Sequence, residues 1–242
     1  MVLYFLLRGG LVITVIPARG SSKGIIRKNL QKVNGETLVD RSIQNALKIP
    51  ENIIYLSSDD LDILKVAENY GVRSLMRTPK NATDFSTSES VIEEVLATVT
   101  NYDGLVTLLQ PTSPFIDIQA WIEAISILKE NLAIGSIFSA GEKNSSAWGK
   151  EGDVWEPINH SKKIRLPRQL RKQTVIETGA FYLFRYDLFK IEKTRFCGNT
   201  LPIMTSAWSH FEIDSLEDLK LCDSISTTID KYTKYKTDLQ FD

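Results

Sequence analysis

The residue types best suited to chemistry are gathered in one short stretch, Arg19-Gly20-Ser21-Ser22-Lys23-Gly24, with Arg27, Lys28 and Asn29 close behind. Glycines let backbone N–H groups turn inward as a nest for an anion, and the cations add charge-assisted hydrogen bonds to phosphate oxygens. Such a loop is suited to cradling a polyphosphate. Its spacing excludes two ready-made nucleotide motifs: Gly20 and Gly24 stand four apart and no third glycine follows, which matches neither Gly-x-x-x-x-Gly-Lys-Ser/Thr nor Gly-x-Gly-x-x-Gly. Taken alone, the loop reads equally as a surface turn with solvated lysines.

A second candidate is Glu212-x-Asp214. On an extended chain, side chains two apart share a face, so both carboxylates can bind one hard cation through oxygen. The alternative is that Asp214 only helps cap the helix behind it. The similar pair Asp60 and Asp62 opens a helix, where the dipole favours acids, and is read as structural. A third feature is the basic run Lys162, Lys163, Arg165, Arg168, Arg171 and Lys172, which holds no acidic residue. It is either a solvated loop or an arm lending cations to an anionic ligand, including one in the site of a second subunit. His160 and His210 lack triad-like or metal-like neighbours. Cys197 and Cys222 lack metal or redox spacing and read as small buried hydrophobes in a reducing, cytoplasmic setting. A net charge of −1 supplies no global field toward nucleic acid or membrane.

These groups need a scaffold. Leu11 to Ile16 is an apolar strand that delivers the chain into the loop, and ligands of open α/β sheets sit beyond the carboxyl ends of the strands. Helical spacing at 38–48 and a strand at 52–56 follow, then a helix after Asp59 and Asp60 with Leu61, Leu64 and Ala67 inward and Gly71 at its end, and a strand at 72–76. Ser86 and Glu89 form a capping-box pattern for the next helix, before a strand at 104–109, a helix at 117–129 and a strand at 133–139. The alternation predicts an α/β fold, a mostly parallel Rossmann-like sheet flanked by helices. The rhythm breaks into an irregular basic stretch and resumes with a strand at 178–184, a short strand at 210–213 and a helix at 215–225 capped by Ser215 with Asp218. The expected organisation is an N-terminal extension (1–10), an α/β core (11–140), an inserted arm (141–176), the rest of the core (177–229) and a tail (230–242). The apolar start, cut by Arg8, Gly9 and Gly10, is too short to span a bilayer and lacks the basic region of a signal peptide.

In this order, VIPARGSSKG with RKNL, LSSDD, Arg77 with NATDFSTS, LLQPTSP, PRQ, TGAFY and EIDSLEDL resemble the acylneuraminate cytidylyltransferases, or CMP-sialic acid synthetases, over Leu11 to about Ile225. The resemblance implies a Mg²⁺-dependent transfer of CMP from CTP to the anomeric hydroxyl of a nine-carbon 2-keto sugar acid, with release of pyrophosphate. It implies that Arg19, Ser22, Lys23, Lys28 and Asn29 hold the phosphates and that Arg77, Ala82 and Ser88 hold cytosine and ribose. Arg19, Lys23 and Asp214 would serve catalysis, Glu212 and Asp214 the metal, and Gln110, Arg168, Gln169 and Tyr182 the sugar. It further implies a homodimer whose basic arm completes the partner's site.

Three positions depart from the family's pattern. Glu212 stands where most relatives have aspartate, and Ile176 and Thr178 stand where several sialate-specific members have arginine and asparagine. Isoleucine cannot replace an arginine fork on a carboxylate, so Arg171 or Lys172 takes that role or the acceptor is another nonulosonate. The alternatives are an enzyme for the eight-carbon 3-deoxy-D-manno-octulosonate, or a non-catalytic nucleotide-binding module of the same descent.

Overall fold

The computed structural model describes residues 11–142, 146–164, 166–170 and 174–238, with the side chains of Arg168 and of 233–238 left aside. In chain order the elements are β1 (Val12–Pro17), β2 (Lys32–Val33), β3 (Glu36–Thr37), α1 (Leu38–Leu47), β4 (Asn52–Ser58), α2 (Leu61–Asn69), β5 (Arg73–Met76), α3 (Ser88–Leu96) and β6 (Leu105–Leu109). They continue with α4 (Ile118–Glu130), β7 (Ser136–Glu142), β8 (Trp148–Glu151), β9 (Val154–Pro157), β10 (Val175–Arg185), α5 (Tyr186–Glu192), β11 (Thr200–Met204) and α6 (Leu216–Asp238).

Seven strands form the central sheet in the order β11-β7-β10-β6-β1-β4-β5. All pairings are parallel except those of β10, which runs against both β6 and β7. The alternation of β1 explains how both faces are filled. Val12 and Ile16 pack with α1, α2 and α4 residues such as Ile43, Ile63 and Trp121, while Ile13 and Val15 pack with Ile92, Val95 and Phe189 of α3 and α5. A strand buried on both faces must be apolar throughout, as this one nearly is. Thr14, the exception, satisfies its hydroxyl on Asn52 Oδ1 at 2.8 Å. A third cluster, with Ile25, Leu38, Phe115, Ile213 and Cys222, lies under α6. From β1 the chain moves outward to β4 and β5, then returns to place β6 on the other side of β1, so the strand order reverses between β1 and β6. Such a reversal opens a crevice at the carboxyl ends.

Several expected elements shift. The strand expected at 133–139 forms at Ser136–Glu142, because Asn131 first makes a turn that receives Ile134 N–H. The segment 210–213 is not a strand: Ala207–His210 is a 3-10 turn. The missed edge strand is Thr200–Met204, where Pro202 argues against a central strand yet is tolerated at an edge. Thr87 rather than Ser86 caps α3, accepting from Ser90 N–H at 3.1 Å. The box at Ser215 and Asp218 forms as expected, with Ser215 N–H donating to Asp218 at 2.8 Å and Asp218 N–H to Ser215 Oγ at 3.1 Å. The stretch expected to be irregular contains the β8–β9 hairpin, turned at Gly152 with φ +58°. The expected tail begins inside α6, where Asp230 pairs with Arg41 at 2.8 Å. Among the described residues no helix is long and apolar enough to cross a membrane.

Candidate active site

Beyond Pro17 the chain turns over the carboxyl edge of the sheet as loop 18–29, and polar braces hold its course. Asn29, buried, donates Nδ2 to the Arg19 carbonyl at 2.8 Å. Gly20 N–H donates to Asp59 Oδ1 at 2.8 Å. Arg27 adopts a left-handed φ of +51° and turns outward, its Nη2 reaching Asp62 Oδ2 at 2.7 Å and Asp60 Oδ2 at 3.2 Å. Asp60 also caps α2 by accepting from Asp62 N–H at 2.8 Å, so this acidic pair acts as an anchor. Lys28 Nζ instead reaches the far end of the sequence, donating to the Ile213 carbonyl and to Asp214 Oδ1, both at 3.0 Å.

Arg19, Ser22, Lys28, Asn29, Arg77, Ser88 and Gln110 line one cleft of about 290 Å³. Arg77 is buried at its wall, donating Nε to Ser57 Oγ at 3.0 Å and Nη2 to the Ser57 carbonyl at 3.1 Å. Burial pushes its guanidinium pKa below the ordinary arginine value. Lys23 is not in the lining, but its Nζ lies 2.9 Å from Asp84, which is. Ala82 is not in the lining either; its neighbours Thr83, Ser86 and Thr87 are. These three, with Asp84 and Thr112, were missed by motif reasoning. The available signal was that Asp84 is the one acid between Arg77 and Ser88.

Of the expected sugar contacts, Gln110 lies in the cleft, just past β6, with its N–H on the Ala180 carbonyl at 3.2 Å. Tyr182 is buried in the α3 and α5 side of the core, its hydroxyl donating to Glu177 Oε2 at 2.9 Å and Arg195 over its ring at 4.8 Å. Gln169 is exposed on the arm and does not line the cleft. The Arg168 side chain, Arg171 and Lys172 lie outside what is described. Thr178 is buried and donates to Ser139 Oγ at 2.8 Å, whereas Ile176 is exposed.

Glu212 and Asp214 are not in the lining; they adjoin its residues Thr112 and Lys28, from a segment fixed by Ile213 N–H, which donates to the Thr112 carbonyl at 2.8 Å. Thr112 Oγ1 donates to Glu212 Oε1 at 3.3 Å. The Glu212 carboxylate packs over Gly179, whose φ is +73°, where a side chain would meet it. Burial, and then the charge of Asp214, push the Glu212 carboxyl above its ordinary range. A divalent cation would relieve that repulsion, and the Asp214 side chain is 71% exposed. The two carboxylates therefore suit a hard cation. Among the described residues no group of three His, Cys, Asp or Glu forms, so other ligands would be water or substrate oxygens.

A cationic loop at the point where the strand order reverses, facing a carboxylate pair, is set in an open α/β fold. The chain belongs to the cytidylyltransferase family, whose model, described as Cytidylyltransferase, matches residues 13–230. It is 27% identical over 237 residues to the N-acylneuraminate cytidylyltransferase of Escherichia coli O18:K1:H7 (strain RS218 / NMEC), covering 94% of this chain and 54% of that protein. It is 37% identical over 109 residues to the pseudaminic acid cytidylyltransferase of Campylobacter jejuni subsp. jejuni serotype O:2 (strain ATCC 700819 / NCTC 11168), covering 43% and 47%. The chain thus spans about half the length of these curated relatives. A solved CMP:2-keto-3-deoxy-manno-octonic acid synthetase complexed with CTP shares the fold at TM-score 0.68 and 16% identity, covering 90% of this chain and 99% of that one.

Proposed function

We propose that this protein transfers CMP from CTP to the anomeric hydroxyl of a nine-carbon 2-keto sugar acid and releases pyrophosphate. The observation that carries this reading is the convergence of Arg19, Lys28, Arg77 and Gln110 on one cleft, with Glu212 and Asp214 at its edge. Phosphoryl transfer asks little covalent work of a protein; it needs neutralised phosphates and an acceptor placed in line. In this reading Arg19, Lys23 and Lys28 bear the triphosphate charge, while Arg77 and Ser88 hold the nucleoside side. Gln110 takes a sugar hydroxyl or amide. Glu212 and Asp214 hold Mg²⁺, which when bound would neutralise charge on the phosphate oxygens.

The acceptor class rests on the relatives, two of which act on acylneuraminate and on pseudaminic acid by name. Ile176 disfavours a sialate carboxylate gripped at that position. The arm carries Trp155, Ile158 and Leu170 at 57%, 71% and 67% exposure, and apolar surface of that kind supports burial against a second copy in a homodimer.

The test is pyrophosphate release from CTP with Mg²⁺ against N-acetylneuraminate, legionaminate, pseudaminate and 3-deoxy-D-manno-octulosonate. Release with one nine-carbon acid, and none with UTP or ATP, is expected. Release with the eight-carbon acid alone would transfer the protein to that reaction, and CTP binding without turnover on any acceptor would overturn the enzymatic reading. Light scattering on the eluted protein is expected to give twice the chain mass.

A further inference from the structure

Two cations of the phosphate loop are already engaged. Arg19 Nη1 lies 2.6 Å from Asp84 Oδ1, and Lys23 Nζ lies 2.9 Å from Asp84 Oδ2. One carboxylate offers a different oxygen to each cation, which is also how a phosphate group would be gripped. Hydrogen bonds from Lys23 and Arg19 hold this carboxyl below its usual range, so it is anionic at neutral pH.

Asp84 belongs to the strap 79–87, which leaves β5 and enters α3 at its Thr87 cap. The strap is internally braced: Thr83 N–H donates to Ser86 Oγ at 3.1 Å, and Ser86 Oγ donates to the Lys80 carbonyl at 3.1 Å. Apolar packing does not hold its tip, since Phe85 beside Asp84 is 94% exposed. The cleft beneath, about 290 Å³, stands at the low edge of the roughly 300–1,000 Å³ of small-molecule sites.

We propose that Asp84 is an internal stand-in for a nucleotide phosphate, occupying Arg19 and Lys23 in the free protein and leaving them when a polyphosphate arrives. This rests on the reading that these cations face nucleotide phosphates. The strap then taxes binding, because affinity scales with the fraction of molecules whose cations are free. A ligand must bring more negative charge than the carboxylate it displaces. A triphosphate does so, whereas a bare nucleoside gains nothing from opening the strap.

The test is calorimetric binding of inorganic tripolyphosphate, CTP and cytidine to the full chain and to its Asp84→Asn and Asp84→Ala variants, each checked for an unchanged melting profile. Both variants are expected to bind tripolyphosphate and CTP about threefold to tenfold more tightly, with cytidine unaltered. Because Asn keeps the shape and loses the charge, agreement between the variants assigns the effect to charge. Unchanged or weaker tripolyphosphate binding overturns the proposal, since Asp84 would then be irrelevant or a helper in the bound state. Absence of tripolyphosphate binding in all three proteins overturns it as well. Failure of CTP binding alone would refute the functional reading, while tripolyphosphate still decides the role of the strap.

Discussion

Gly24→Ala isolates one contact between the phosphate loop and the carboxylate segment. A Cβ at Gly24 would lie 2.6 Å from the carbonyl oxygen of Asp214, about 0.8 Å inside an ordinary van der Waals approach. The φ of Gly24 is not in the left-handed region, so alanine meets no backbone penalty and would otherwise stabilise by about 0.4–1 kcal/mol through the unfolded state. The clash cannot be relieved by a rotamer, because its target is backbone. Either the loop lifts, drawing the next residue, Ile25, from its cluster with Ile213, or the Glu212–Asp214 segment recedes. Overpacking of this kind costs about 1–3 kcal/mol, or roughly 2–4 °C of melting temperature per kcal/mol for a chain of this size. Lys28 and Asp214 would separate by a comparable fraction of an ångström, and misplacement on the order of 1 Å costs about a hundredfold in rate. The assays are thermal melting and pyrophosphate release at saturating and limiting CTP, with kcat expected to fall more than KM rises. A variant with wild-type melting and kcat/KM within twofold would refute the inference that this contact sets the spacing of the site.

Other substitutions test other contacts. Lys28→Ala is expected to lower kcat/KM by about a hundredfold or more, as loss of a preorganised charge does, because Lys28 is 15% exposed and bridges Ile213 and Asp214. Lys23→Ala, at a side chain 78% exposed, should cost less than tenfold; the reverse order in steady-state kinetics would contradict the assignment. Arg77→Lys cannot supply the fork that meets Ser57 twice, and a loss of about 1–3 kcal/mol is expected in denaturant melts together with weaker CTP binding. Burial of Glu89 is outweighed by the hydrogen bonds and charge of Arg195, which leave its pKa below the ordinary 4.5. Its contribution is therefore full above about pH 4.5 and fades as pH falls through the lowered value. Arg195→Met removes the side-chain hydrogen bonds and the charge and leaves burial opposed only by backbone hydrogen bonds, so the deficit against wild type should be largest above pH 4.5 and close on acidification; a gap independent of pH would count against the pair.

Much of the scaffold was legible because it is local. The continuous apolar run of β1, the Asp60 and Ser215 caps and the left-handed Gly71 are properties of a few neighbouring residues, and they fall where their types demand. Pro202 hid β11, since the rule against proline in strands gives way at an edge. Within the site, residue types located the cationic loop and the carboxylate pair but not their courses. Glu212 and Asp214 are aligned by Thr112, about a hundred residues away, and not by a strand of their own. Motif position points to Ala82, while Ser86 lines the cleft, because motif position says nothing about how segment 79–87 folds. Asp84 escaped notice because its partners, Arg19 and Lys23, are brought to it only by the finished sheet.

The bond from Lys28 to Ile213 and Asp214 also joins residues 185 and 186 positions apart. During synthesis at about 5–20 residues per second, the loop made near the start waits on the order of ten to forty seconds for its counterpart. The α6 helix that seats this segment is itself tied back to Arg41 and Asn34 through Asp230. Through that interval a growing chain holds the cations without the carboxylates, so the complete site cannot assemble before Asp214 has been made.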